Sequence, residues 1–377
     1  MTFIRGVGMT KFGISDKLTH QMAYEASVEA LRDANMAFDE IDAVVCSTLE
    51  FFQSIEKQRH FPAMLSSMFR THVPIIKVEA ACSGGGAALW YANQLPYENI
   101  LVVGSDKLMT MKSEAITDEF MMAAENRYEQ TEGLNFPSQN ALVAQEYMQK
   151  YPSTTPHHLA LIAAKNHANA ALNPKAKFYQ QPISLERIES SPVVCSPLRL
   201  FDCSISVDGG AACVITKDKA DIEIAGSSLY TDYLPTFERD DNTSWEAAVL
   251  SSKEAYAQAK VAPEDIDVAE IHDAFTIVEL IAYEDLGFAK KGKAWQLIEK
   301  GHFMKDGKLP ANMSGGLKAK GHPISATGLA QIYELVKQMR GLQGERQVRR
   351  AKTALAHNVG GAGGTIVTHI LKHRGAA

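Results

Sequence analysis

The chain has 377 residues, enough for a large core and for two or three domains or two fused halves. Hydrophobic residues make up 46% and charged residues 22%, as in an ordinary globular protein, and the net charge of −6 gives no sign of nucleic-acid binding. Five cysteines with no CxxC pair argue against a disulfide framework or a zinc ribbon and fit a reducing compartment. There is no apolar signal core at the N-terminus, no apolar run of about 18 residues and no Ser-Lys-Leu ending, so the expectation is a cytoplasmic protein without a membrane span.

Residues 3–9 read as a strand, 19–36 as a helix with Met22, Ala23, Ala26, Ala30, Leu31 and Ala34 on one face, and Asp42–Ser47 as a buried strand. Residues 55–70 read as helix. Pro74–Val78 is a short strand leading into Ala81-Cys82-Ser83-Gly84-Gly85-Gly86, and a small-residue helix runs from there to about Leu95. This is a strand–turn–helix elbow with Cys82 near a helix N-terminus, where the helix dipole favours a thiolate. The glycines permit close backbone approach to a bound group. Two readings stay open at this point: Cys82 as a nucleophile, or as a small buried residue in a tight turn. Asn99–Ser105 is another buried strand, and alternating strands and helices imply an α/β core covered on both faces.

Residues 109–200 break the rhythm with Met, Glu, Gln, His and Pro and with helical patches at 139–150 and 156–171. They read as a mostly helical insert over the core, the kind that forms substrate lids. The strand Ala211–Thr216 restores the rhythm. The second half then repeats the first: a helix over 245–260, Glu264-Asp265-Ile266-Asp267 and a strand at 268–271, a Gly-containing elbow and helix at 325–339, and strands at 353–357 and 364–371. The expected organisation is 1–118 plus 201–220 as the first half, 119–200 as the insert, and 221–377 as the second half, with the active site where the halves meet.

Three histidine-bearing segments follow strand ends, where α/β active sites form: His272-Asp273-Ala274-Phe275, Asn312 to Gly328 with Gly321-His322-Pro323, and His357-Asn358-Val359-Gly360-Gly361. A lone loop histidine is usually only solvated. A metal site is the competing use of three of them, weakened by the lack of tight ligand spacing, and Cys–His chemistry accounts for the glycines better.

The run NMSGGLKAKGHPISATG resembles the Gly-His-Pro signature of thiolases, and VEAACSGGGAAL is similar to their nucleophile loop. PLRLFDCS followed by DGGAA resembles the end of their first half. The His-Asp-x-Phe and His-Asn forms point to the sterol-carrier-protein-2-like branch of archaea and bacterial degradation pathways. The resemblance covers nearly the whole chain. It implies the thiolase fold, an α/β protein of two duplicated halves in a five-layered αβαβα core with a mostly helical inserted loop domain.

By the same resemblance Cys82 is the acyl-accepting nucleophile, His322 takes its proton, and His272 holds the thioester oxygen. His357 falls where most thiolases carry a second, acid/base cysteine, and neither that cysteine nor the one of His-Asp-Cys-Phe is present here. A histidine, His357 first and His322 second, is expected to handle the α-carbon proton. One oxyanion site is expected from the Cys82 N–H with an N–H of Val359, Gly360 or Gly361. Coenzyme A is the implied co-substrate, with Lys175 and Lys177 as candidates for its phosphates against a reading as two solvated lysines. No metal is implied in this chain.

The implied reaction is thiolytic cleavage of a 3-oxoacyl-CoA or the reverse Claisen condensation. Phe51, Phe52, Phe61, Phe69, Phe120, Tyr128, Phe136 and Tyr147 suggest a bulky or aromatic acyl group, as in 2-benzoylsuccinyl-CoA, with acetoacetyl-CoA as the default and plain core as the other use of these rings. The alternatives are a catalytically silent acyl-CoA-binding or scaffolding subunit and a ketoacyl-synthase-like condensing enzyme. The implied partners are a second copy of the chain, as a homodimer or dimer of dimers, and a small zinc-ribbon/OB-fold protein.

Overall fold

A computed structural model describes residues 1–50, 56–109 and 113–375. Phe51 and Phe52 lie outside the described residues. The strands in chain order are β1 (Phe3–Met9), β2 (Ala43–Ser47), β3 (Ile75–Lys77), β4 (Asn99–Asp106), the hairpin β5 (Val193–Cys195) and β6 (Leu198–Arg199), β7 (Gly209–Thr216), β8 (Ile222–Thr231), β9 (Val268–Ile271), β10 (Thr353–Gly360) and β11 (Thr365–His373). The helices are α1 (Thr19–Ala34), α2 (Phe61–Phe69), α3 (Gly84–Gln94), α4 (Ser113–Met121), α5 (Phe136–Lys150), α6 (Pro156–Ala171), α7 (Leu185–Glu189), α8 (Glu246–Ala259), α9 (Thr276–Asp285), α10 (Ala294–Glu299) and α11 (Thr327–Met339).

The main strands run in the order β3-β2-β4-β7-β1-β8-β11-β10-β9. Read outward from the centre, β1-β7-β4-β2-β3 on one side is matched by β8-β11-β10-β9 and a bridge at Ala311 on the other. The pairing senses match as well. β2 lies parallel to β3 and β4, and β9 parallel to Ala311 and β10; the remaining pairs within each set are antiparallel. Both halves therefore share one topology. They are stitched together by a short β1–β8 pairing at Phe3↔Glu223 and Ile4↔Ile222.

Helices sort these sheets into five layers. α1 and α2 cover the outer face of the first sheet, and α8 covers that of the second. α3 and α11 lie between the sheets and touch strands of both. Small residues make this middle layer thin: a Cβ on Gly85 would lie 2.6 Å from the Ser325 carbonyl, so the two elbows meet backbone to backbone. The glycines after Cys82 thus serve inter-helix packing. Apolar strand residues fill three clusters, one against α1 and α2, one around α3 and α11, and one under α5, α6, α8 and α9.

β8 and α9 are among the elements that escape the sequence reading. β8 follows Lys217-Asp218-Lys219 and carries Glu223, Ser227 and Ser228, which mask its apolar run. α9 is buried on every side, so no amphipathic stripe marks it. Residues 113–199 hold α4–α7 and the β5–β6 hairpin, with α6 packed on α9, α10 and the turn at Gly316–Lys320. No helix among the described residues is long and apolar enough to cross a membrane.

Candidate active site

Cys82 sits at the tip of the elbow between β3 and α3. Ala81, just before it, takes a left-handed φ of 46°, and the Ser83 and Gly84 N–H groups turn back to Ala80 O and Ala81 O at 3.0 Å each. A non-glycine residue held in that region is strained, and the surrounding turn holds it. Burial pushes the thiol pKa up to about 12, against the pull of two backbone N–H groups, those of Gly361 and of Cys82 itself. Desolvation thus favours the neutral thiol in the free site.

His322 arrives from the other half. Its segment is built as a scaffold of buried polar contacts. Asn312, at φ 56°, accepts the Ile271 N–H on Oδ1 at 2.7 Å. Glu270 accepts the Ser314 N–H at 3.0 Å and the Ser314 hydroxyl at 2.5 Å, and Asp273 accepts the Leu317 N–H at 2.6 Å. Asp106 of β4 accepts the Ser325 N–H at 2.5 Å and the Leu49 N–H at 3.0 Å, which ties the Gly-His-Pro turn to the first half. Burial raises these carboxyls, Asp106 and Asp273 to about 6 and Glu270 to about 7.

The protonation of His322 follows from its neighbour. Thr327 donates its hydroxyl to Pro323 O at 3.0 Å, so its oxygen accepts from His322 Nδ1–H at 2.6 Å. Nε2 is then the bare nitrogen, buried without a partner among the described residues. Burial holds this imidazole neutral, with its pKa lowered to about 3. The ring stands edge-on to His272, centroids 5.6 Å apart at 88°. Both rings, Cys82, Val359 and Gly361 line one cavity of about 140 Å³. Its remaining wall is apolar or neutral, including Phe120, Phe136, Trp245, Phe275, Val278 and Ile324, with Asn140, Ser204 and Ser206 as polar points and no Lys, Arg, Asp or Glu among the described residues.

Other sequence candidates sit elsewhere. His357 is fully buried and neither ring nitrogen has a partner among the described residues. It pairs with Ile271 across β9–β10 and lies near enough to His272 for their charges to interact, but it is not part of the cavity wall. Along β10, Leu355, His357 and Val359 share the face that packs in the cluster under α8 and α9, while Asn358 turns toward α3. Asn358 donates from Nδ2 to Cys82 O at 3.0 Å and to His272 Nδ1 at 3.2 Å.

Gly361, with φ 61°, supplies the N–H at the sulfur, whereas Gly360 is a packing glycine whose Cβ would lie 2.5 Å from Ala80 O. Lys175 is committed: its ammonium binds both carboxylate oxygens of Glu29 at 2.6 and 2.7 Å, touches Met9 O and lies over the Tyr333 ring. Lys177 donates its backbone N–H to Lys320 O, and neither lysine lines the cavity. Of the aromatic candidates, Phe120 and Phe136 reach the cavity. Phe61 and Tyr147 are core, Phe69 stacks on Phe38 and Tyr128 meets Phe237.

Sequence reasoning missed Trp245, Phe275 and Cys203 at the cavity. Cys203 donates its thiol to Arg199 O at 3.6 Å on the cavity wall. Ala274, the position of the absent branch cysteine, also lines it.

Comparison with known proteins identifies the family and the fold. Residues 2–197 match the family described as "Thiolase, N-terminal domain" and residues 230–373 the one described as "Thiolase C-terminal domain-like". An acetyl-CoA acetyltransferase of Methanothermobacter thermautotrophicus is 37% identical over 97% of both chains. Sterol carrier protein 2 of Bos taurus is 34% identical, over 97% of this chain and 71% of that one. Among solved structures, one titled "Ltp2-ChsH2(DUF35) aldolase" superposes with a TM-score of 0.82 at 25% identity, covering 99% of this chain and 97% of that one. An acetyl-CoA acetyltransferase from Syntrophomonas wolfei shares the fold, with a TM-score of 0.71 at 16% identity over 98% of each chain.

Proposed function

This chain belongs to the thiolase family of acyltransferases, and from that premise we propose that it cleaves, or in reverse condenses, a 3-oxoacyl-CoA through an acyl group carried on Cys82. One observation carries the reading: Cys82, its sulfur faced by the N–H groups of Cys82 and Gly361, lines one cavity with His272 and with His322, whose Nε2 is bare.

The residues divide the work as follows. His322 Nε2 takes the thiol proton as the sulfur bonds to the 3-oxo carbon. A neutral thiol beside a neutral imidazole favours transfer in step with attack, when charge moves onto the substrate oxygen. Stabilising that oxygen is assigned to the Cys82 and Gly361 N–H groups, which face the sulfur. The C2–C3 bond then breaks, and its electron pair forms the enolate of the shorter thioester. His272 donates a hydrogen bond to the enolate oxygen, and the proton on His322 goes to C2. Coenzyme A next gives its thiol proton to His322 and attacks the acyl-cysteine, and Cys82 leaves as thiolate and regains the proton. General acid–base help of this kind contributes roughly 10²–10⁴ in rate.

A cavity of about 140 Å³ with four aromatic walls supports a small uncharged acyl group, its volume being close to the ~150 Å³ that holds a benzene ring. 2-Benzoylsuccinyl-CoA fits that description because its benzoyl group would be the part passed to Cys82. Acetoacetyl-CoA is the smaller candidate, supported by the names of the archaeal relatives. A small zinc-ribbon/OB-fold partner is part of the proposal, supported by the two-component title of the similar complex. Against a silent subunit stand an intact Cys82 and a His322 fixed in the base tautomer.

Thiolysis of a panel of aliphatic and aromatic 3-oxoacyl-CoA esters tests the proposal, with wild type and Cys82→Ser and with any co-purifying small protein present or removed. The expected result is CoA-dependent cleavage by wild type that is lost in the variant. Cleavage that survives in Cys82→Ser, or no turnover of any ester with the partner present, overturns it.

A further inference from the structure

β10 presents two hydrogen-bonding residues side by side, and the one that reaches Cys82 is Asn358. Its Oδ1 accepts the Gly86 N–H at 3.2 Å. A backbone N–H can only donate, so the amide cannot be turned round. Nδ2 therefore faces the elbow and donates to Cys82 O and to His272 Nδ1. Two glycines make the room: a Cβ on Gly86 would lie 2.9 Å from Asn358 Oδ1, and one on Gly328 2.3 Å. A ring nitrogen that receives an N–H must present its lone pair, which leaves the His272 proton on Nε2.

We propose that Asn358 is a positioning residue of the reaction: its amide holds His272 as an Nε2–H hydrogen-bond donor and anchors the carbonyl of the nucleophile, so that proton transfer falls to His322 alone. The inference rests on the thiolase reading and deepens it. The two imidazoles, 5.6 Å apart, are assigned opposite roles by their outer partners: Thr327 leaves His322 an acceptor, and Asn358 leaves His272 a donor. Asn358 is itself one step from the position where a second acid/base cysteine was sought. A carboxamide has no proton to give there at neutral pH, so it acts through His272 and through the Cys82 backbone.

The test reads the tautomer directly. Protein labelled with ¹⁵N-histidine is compared with His272→Asn, which identifies the His272 signals by their loss. Wild type is expected to show a neutral Nε2–H ring. In Asn358→Asp the carboxylate can only accept, which draws the proton to Nδ1. The His272 tautomer should switch, and thiolysis kcat should fall about 10²–10³-fold, the loss typical of one oxyanion donor, with KM for CoA within about threefold. A wild-type Nδ1–H ring overturns the proposal, as does a kcat loss in Asn358→Asp with the tautomer unchanged. Should the variant not fold, the wild-type spectrum decides. The spectrum needs no substrate, so it separates failure of this inference from failure of the thiolase reading.

Discussion

Replacing Thr327 by valine keeps the shape of the side chain and removes its hydroxyl. Two hydrogen bonds disappear: the 2.6 Å contact with His322 Nδ1 and the 3.0 Å contact with Pro323 O. Thr327 is 1% exposed and His322 6%, so water does not replace them. A buried donor left without a partner costs about 1–3 kcal/mol. His322 can meet that cost in either of two ways. It keeps its proton on Nδ1 and the fold loses that much stability, or it moves the proton to Nε2 and stops being a base toward Cys82. The second route lowers acylation directly, and about 1–3 kcal/mol corresponds to roughly 5- to 150-fold. The assay is the rate at which Cys82 acquires an acyl group from a 3-oxoacyl-CoA in a single turnover, followed by mass of the intact protein, with urea unfolding alongside. Thr327→Ser, which restores the hydroxyl, should recover both readouts. A valine variant that acylates within twofold of wild type and unfolds at the same urea concentration would refute the tautomer argument.

Two further expectations concern the buried histidines. Burial lowers His322 and His357 to about 3 and His167 and His369 to about 4, and places His272 well below 6.5. The unfolded chain protonates these rings as pH falls through about 6.5 while the fold does not, so they cost stability on acidification. Asp106, Asp273 and Glu270, raised to about 6, 6 and 7, act in the opposite sense, because the fold binds their protons first. Five rings against three carboxyls leave about two protons taken up on unfolding, so unfolding free energy should fall between about pH 6.5 and pH 4.5, and a flat or rising trend in urea titrations would contradict the assignment. In His357→Leu the uptake should drop by about one proton, stability should rise because two unpartnered ring nitrogens are gone, and thiolysis should stay within a few-fold of wild type. A loss of about 10²-fold or more would return His357 to the role of acid that its place in the sequence suggests.

The sequence carried most of the scaffold, and it marked Cys82 and His322 as candidates, for reasons that are local. Apolar runs mark β1, β2, β4 and β7 because those strands are buried on both faces. Cys82 and His322 stand out because the backbone around each must turn tightly, at Ala81 before the one and at Gly321, with φ 117°, before the other. What was not legible depends on partners far away in the chain. Lys175 is spent on Glu29, Trp245 comes to the cavity from the start of α8, and nothing near either residue announces it.

The choice between His357 and Asn358 is a question of strand phase, since adjacent residues in a strand face opposite ways and residue type alone does not say which way is inward. The phase was nonetheless written beside them. In Ala354-Leu355-Ala356-His357-Asn358-Val359 the large side chains share a face with His357 and the small ones share a face with Asn358. Small residues belong where another backbone comes close, and the backbone that comes close here is α3, whose first three residues are glycines. The alternation of size along β10 therefore points Asn358, not His357, at the helix that carries Cys82.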